Sequence, residues 1–234
     1  MKILAIDSSG IVATTALLVD DEIRASYSIQ YKRTHSETLL PMVESMLKSV
    51  DQDINEIDAI SVASGPGSFT GLRIGAATAK GLCLALDKPL IAISTLEGLA
   101  YRFYGSDKII VPLMDARREQ VYTAAYKLTD EFETIIEPCA IGIDELLDKV
   151  SGFDENVIYM GDGSVRYKDV ISSRLREGDI IAAIHLNVQD AAALAFRAKQ
   201  MYEAGNFTNA DHFAPEYLRM SQAERERKLK EKRG

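Results

Sequence analysis

The sequence predicts an α/β fold of two similar lobes, each a mixed sheet with flanking helices. Three observations predict it. Short apolar runs of strand length alternate with longer runs of helical periodicity along the 234 residues. The order β-β-β-α-β-α-β-α of the first half recurs loosely in the second. The break between the copies falls at Tyr104-Gly105-Ser106.

In order, Lys2 to Ile6 is a first strand, almost continuously apolar. Ala13 to Val19 and Glu22 to Gln30 flank Asp20-Asp21, a hairpin turn. Leu39, Leu40, Val43, Met46, Leu47 and Val50 recur at helical spacing. Pro41 belongs in the first turn of that helix or kinks it, because it has no N–H to donate. Ile57 to Ala63 is a strand, Ile74 to Leu86 a helix, Leu90 to Ser94 a strand and Thr95 to Phe103 a helix. In the second half Ile109 to Met114, Gln120 to Tyr126 and Phe132 to Ile136 read as three strands. Ile143 to Val150 follows as a helix, then strands Val157 to Met160 and Ile180 to Ile184. The helix from Val188 to Glu203 takes Asn187 as N-cap, with Asp190 in its first turn. The division by chain order is therefore 1–103 for the first lobe, 104–220 for the second and 221–234 for a basic tail.

The bulk numbers bound the function. The chain is 47% hydrophobic, enough for two cores, and carries a net charge of −8. No secretory leader pattern opens it and no run of about 18 apolar residues could span a bilayer, so a cytoplasmic protein without a membrane partner is expected. Cys83 and Cys139 stand far apart in apolar surroundings and read as buried thiols, not as a disulfide or metal pair. Residues 221–234 hold six basic and three acidic side chains, against 21 and 32 in the rest. Glu224 and Lys228, and Glu226 and Lys230, are helix-supporting pairs. The tail reads either as a solvated, frayed end or as an electrostatic contact to RNA or an acidic partner.

The most informative stretch is Gly65-Pro66-Gly67-Ser68-Phe69-Thr70-Gly71-Leu72-Arg73-Ile74-Gly75, between a strand and a helix. Such a loop presents unpaired N–H groups and a positive dipole end to an anion, or else is a tight structural turn. It is neither a P-loop nor a dinucleotide fingerprint: no Gly-Lys-Ser/Thr closes it, and Thr70 stands where a third glycine would be. With Ile6-Asp7-Ser8-Ser9, His35-Ser36-Glu37 before Leu39-Leu40-Pro41, Asp115-Ala116-Arg117-Arg118-Glu119-Gln120-Val121-Tyr122 and Pro215-Glu216-Tyr217-Leu218-Arg219, it resembles the bacterial TsaB (YeaZ) family. That family is a branch of the actin/sugar-kinase/Hsp70-like superfamily. The resemblance covers essentially the whole chain and implies two actin-like (ribonuclease H-like) lobes.

The resemblance also implies where chemistry could sit. In the superfamily an acidic residue at the position of Asp7 lies near the phosphates and metal of a nucleotide between the lobes. The candidate nucleotide or cleft contacts are Asp7, Ser8, Ser9, Gly65, Gly67, Ser68, Thr70, Gly71, Arg73, Asp115 and Arg117. Taken alone, a carboxylate at a strand end is a turn or cap residue. The charged segment from Asp115 to Glu119 is either a rim on the cleft or a solvated turn. His35 beside Ser36 and Glu37 reads as a helix entry capped by Thr34 or Ser36, since neighbouring residues do not converge as a triad. The catalytic paralogue, TsaD, carries two metal-binding histidines; the matching region here, Ser94 to Tyr104, carries none. No metal site and no catalytic residue are assigned.

The helix after the loop is apolar nearly all round, with Gly75, Ala79 and Cys83 as a small-residue stripe. It and its neighbour are either an internal pair or a subunit interface built from Leu39, Met42, Val43, Met46, Leu47, Gly75, Ala76, Ala79 and Cys83. On the second view Ala79→Arg should abolish partner binding and leave the fold intact. The expected function is a non-catalytic subunit. It would form a heterodimer with TsaD and, with TsaE, support transfer of a threonylcarbamoyl group to adenosine beside the anticodon of tRNA. It would reach tRNA through the complex and homodimerise when alone. It would need no cofactor of its own, with ATP or ADP and Mg entering at the level of the complex. The alternatives are an autonomous phosphotransferase or metallopeptidase-like enzyme of the superfamily, and an RNA-binding module using the tail.

Overall fold

A computed structural model describes residues 1–31, 34–129 and 131–219. It contains two five-stranded sheets of the same topology. The first runs β3-β2-β1-β4-β5, from β1 (Lys2–Asp7), β2 (Ala13–Val19), β3 (Glu22–Ile29), β4 (Ala59–Gly65) and β5 (Leu90–Ser94). The second runs β8-β7-β6-β9-β10, from β6 (Ile109–Asp115), β7 (Gln120–Leu128), β8 (Phe132–Gly142), β9 (Val157–Met160) and β10 (Ile180–Ile181). In each, a three-stranded antiparallel meander is extended by two parallel strands. The duplication expected from element order is therefore real, and it is the actin-like arrangement.

Alternation along β1 shows how each sheet is covered on both faces. Leu4 and Ile6 pack beneath α1 (His35–Ser49) and α2 (Phe69–Leu86), while Ile3 and Ala5 pack beneath α7 (Ala191–Glu203). In the second sheet Ile110 and Met114 face α3 (Thr95–Ala100), whereas Ile109, Val111 and Leu113 face α4 (Ile143–Val150). Two short helices, α5 (Asp162–Arg166) and α6 (Lys168–Ser172), follow β9.

The helical cover thus departs from chain order. α7 falls within 104–220 yet packs on the first sheet, and α3 falls within 1–103 yet packs on the second. The two helices pack against each other and so join the two lobes. There Arg197 pairs with Glu97, the Tyr101 hydroxyl donates to Gln200 at 2.7 Å, and the Arg102 guanidinium donates to the Val188 carbonyl at 2.8 Å.

Other expectations shift locally. α2 begins at Phe69, inside the glycine loop, because Ser68 caps it by accepting from Gly71 N–H at 3.3 Å. α7 begins at Ala191, with Asp190 as the cap. Asn187 is not the cap: its side chain accepts from Gly161 N–H and donates to the Ala182 carbonyl, tying β9 to the next loop. Pro41 lies inside α1 rather than in its first turn. β10 stops at Ile181, and 184–186 is a 3₁₀ turn. Cys83 is buried and Cys139 half-buried, both as free thiols, and burial pushes the Cys83 thiol up to about 11. Among the described residues no helix is long and apolar enough to cross a membrane. The basic tail lies outside the described residues.

Candidate functional site

Two features stand out. One is the cleft between the lobes; the other is the outer surface of α1 and α2.

The cleft encloses about 790 Å³. Its first-lobe wall is Ser9, Gly10, His35 and the start of the glycine loop. Its second-lobe wall is the β6–β7 hairpin, with Asp115, Arg117, Arg118 and Tyr122, and Asp162 beside it. The charged segment is therefore a cleft rim. The hairpin turns through three consecutive left-handed residues, Arg117 (φ 61°), Arg118 (φ 57°) and Glu119 (φ 58°). Non-glycine residues hold that conformation only when their surroundings fix it. Here the Asp115 carboxylate accepts from Arg117 N–H at 2.9 Å, and the Glu119 carbonyl accepts from Ile143 N–H at 3.2 Å. Asp115 also pairs with Arg166 at 3.4 Å. Burial raises the Asp162 carboxyl above the usual carboxylate range, and its Oδ1 accepts from Asp115 N–H.

The glycine loop is answered by packing. A β-carbon on Gly71 or Gly67 would collide with the carbonyl oxygens of Ser8 and Ser9, which follow β1. Ser68 N–H donates to the Ser9 carbonyl at 2.7 Å, and the Ser8 hydroxyl donates to the Gly71 carbonyl at 2.9 Å. The glycines let the start of α2 sit directly on the end of β1. Of the candidate contacts, Ser9, Gly67, Ser68, Asp115 and Arg117 line the cavity. Asp7, Ser8, Gly65 and Gly71 are buried behind it, and Thr70 and Arg73 lie on the exposed outside of α2. The sequence reading missed Phe69, Tyr31, Tyr217 and Arg219 as wall residues. Only the motif Pro215 to Arg219 pointed at the last two.

Asp7 is the buried acid of the site, 3% exposed, with Oδ1 accepting from Ser9 N–H at 2.8 Å. Burial is the main cause that lifts its carboxyl from 3.8 to about 6; its hydrogen bonds with Ser9 and the charge of His35 oppose the shift. A carboxyl raised on folding favours the folded state below its unfolded value, and that advantage is lost as pH rises through its folded value. Asp7 should therefore weaken the fold progressively from about pH 4 to about pH 6, by up to ~3 kcal/mol. Asp7→Asn keeps the acceptor for Ser9 and removes the charge. Its gain over the parent, measured by urea unfolding, should be small at pH 4 and largest above pH 6; a pH-independent difference would contradict this.

The helix surface corrects the sequence reading. Leu39, Met42, Val43, Met46, Leu47, Gly75, Ala76, Ala79 and Cys83 are all buried within the first lobe, so none of them is available to a partner. The reason is geometric: the stripe of Gly75, Ala79 and Cys83 continues from Gly71 and faces β1 and β4. The outer face is a second stripe. On α2 it is Ala77, Gly81, Leu84 and Ala85, flanked by half-buried Ile74 and Thr78; α1 adds Leu40. Leu84 is 59% exposed and Leu40 52%. A β-carbon on Gly81 would meet nothing within 4 Å. A glycine in the middle of an 18-residue helix costs about 1 kcal/mol relative to alanine. Among the described residues nothing requires it at Gly81.

The chain matches a protein-family model described as TsaD, tRNA N6-adenosine threonylcarbamoyltransferase, over residues 22–227. It is 34% identical to the tRNA threonylcarbamoyladenosine biosynthesis protein TsaB of Bacillus subtilis (strain 168), covering 96% of each chain. It is 30% identical to the TsaB protein of Escherichia coli (strain K12), covering 94% of this chain and 95% of that one. Among solved structures, YeaZ from Pseudomonas aeruginosa superposes with a TM-score of 0.79 at 27% identity, covering 93% of this chain and 99% of that one. The chain belongs to the TsaB (YeaZ) family, in the TsaD-like group of actin-fold proteins, and its relatives are named for tRNA threonylcarbamoyladenosine biosynthesis.

Proposed function

We propose that this member of the TsaB family works by binding: it is the non-catalytic partner of a TsaD protein in threonylcarbamoyl transfer to tRNA. The observation that carries the reading is the outer face of α2. Ala77, Gly81, Leu84 and Ala85 leave a helix surface that is apolar, low and open, as close approach of a second helix demands. Helix packing at about 8–10 Å between axes needs small residues at the contact, and Gly81 supplies the closest approach.

The cleft supports the same reading from the other side. The carboxylate that would face a nucleotide's metal, Asp7, is 3% exposed and does not reach the cavity wall. At the start of α2, Ser68 N–H is directed to the end of β1 and Gly71 N–H to the Ser68 hydroxyl. On this reading these residues pack α2 onto β1 and are not a cradle for a metal-bound nucleotide. On this account ATP or ADP with Mg belongs to the assembled complex, which also brings in TsaE and the tRNA. Without TsaD, the α1–α2 face covers itself in a homodimer. No observation at the cleft favours the autonomous phosphotransferase or metallopeptidase-like reading.

The test is reconstitution. The chain is assayed alone, and with TsaD, TsaE, tRNA, ATP and the threonylcarbamoyl-AMP donor; modified adenosine is counted by mass spectrometry. Modification should require the chain and should be absent from the chain alone. Modification by the repurified chain alone, or equal modification without it, would contradict the reading.

A further inference from the structure

The motif Pro215-Glu216-Tyr217-Leu218-Arg219 has no place in the partner face or in any catalytic step, yet it is bonded to both lobes. Glu216 N–H donates to the Ser64 carbonyl at the end of β4, at 2.7 Å. The Glu216 carbonyl lies so close to Gly65 that a β-carbon there would strike it. The Tyr217 ring packs on Phe69 with centroids 4.6 Å apart, and its hydroxyl accepts from Arg73 Nε at 3.3 Å. The Arg73 guanidinium in turn sits 4.0 Å over the Phe69 ring. Two residues on, the Arg219 guanidinium donates to the Ala116 carbonyl at 2.9 Å, in the hairpin of the second lobe.

We propose that residues 215–219 form a clasp that locks the mouth of the inter-lobe cleft by tying the start of α2 to the β6–β7 hairpin. The lobes are already joined by the contact of α3 with α7, away from the cavity wall. A two-lobed molecule joined at one such contact is free to hinge there. A second tie at the mouth removes that freedom, and Glu216, Tyr217, Leu218 and Arg219 then form one wall of the cavity. The clasp also accounts for the hairpin. Three left-handed residues in succession need external support, and Arg219 bonds the carbonyl of Ala116, the residue before the first of them. The Arg219 bond is charge-assisted, which places it among the stronger hydrogen bonds. The seat on the first lobe is aromatic and cationic, so it survives loss of the bond on the second.

The test is hydrogen exchange on the full chain, comparing the parent with Arg219→Ala and Tyr217→Ala. Three sets of amides report. Ala116 and Gln120 bond each other or Arg117 across the hairpin turn; Glu216 bonds Ser64; and β1 with β2 serves as the reference. Arg219→Ala should speed exchange of Ala116 and Gln120 roughly tenfold while Glu216 stays protected. Tyr217→Ala should release Glu216 and the hairpin together. Both variants should leave β1 and β2 unchanged, since Tyr217 is 40% exposed and contributes little to the core. Unchanged hairpin exchange in Arg219→Ala would overturn the clasp. A rise of equal size in β1 and β2 would overturn it too, because Arg219 would then support the whole fold and not the mouth of the cleft.

Discussion

Ala79→Arg unfolds the first lobe. Ala79 is fully buried, in the same core as Leu4, Ile6, Val62 and the helix residues Met46 and Cys83. An arginine there adds a long chain to a filled space and places a guanidinium among groups that offer it no partner. Overpacking alone costs about 1–3 kcal/mol, and an unpaired buried charge costs several kcal/mol more. The sum approaches the roughly 5–15 kcal/mol that holds a whole domain together. The expected result is loss of the cooperative thermal transition and of soluble protein. A variant that melts cooperatively within a few degrees of the parent would show that the stripe is not core. The sequence alone admits the opposite outcome, lost partner binding on an intact fold. The burial of Ala79 decides between them.

Gly81→Arg has the complementary effect. The position is exposed and a β-carbon there meets nothing within 4 Å among the described residues, so an arginine is accommodated there without a clash. Replacing a mid-helix glycine by arginine even favours the helix, by somewhat under about 1 kcal/mol. The melting temperature should therefore hold or rise. Against a partner helix the same side chain stands where the closest approach is required, and a misplaced charge in an interface core commonly costs ~3 kcal/mol or more, a factor beyond roughly 100 in affinity. In the reconstituted system, modified adenosine should fall to background at protein concentrations where the parent is saturating. Leu84→Asp, on the same face and 59% exposed, should act in the same direction.

Much of this molecule is legible from its residues, for identifiable reasons. β1 is buried on both faces, so Ile3 to Ile6 stand out as a continuous apolar run. The glycine loop is visible because only glycine permits the approach of α2 to Ser8 and Ser9. What is hidden is orientation. α2 is apolar on both sides, so the pattern of apolar residues along it does not tell Gly75, Ala79 and Cys83 from Ala77, Gly81 and Leu84; both series have helical spacing and small or apolar members. The one local pointer is continuity. The inner stripe runs back through Gly75 to Gly71, on glycines of the signature, whereas the outer one runs back to Arg73 and Ile74. The exchange of α3 and α7 between the sheets is likewise invisible along the chain, because each helix fits the local order of its own half. The clasp is seen as a motif but not as a contact, since Arg219 and Ala116 stand 103 residues apart. Asp190 and Asn187 show the limit at single positions. Both are good caps, and the tie from Asn187 to Gly161 decides which one is used.

The most direct test of the account is a calorimetric titration of TsaD into the parent chain and into Gly81→Arg, with both melting curves recorded. The account predicts a one-to-one complex with the parent, a loss of at least about 100-fold in affinity for the variant, and a variant that melts no lower than the parent. Equal affinity for the two folded proteins would contradict it, and would place the partner surface somewhere other than the outer face of α2.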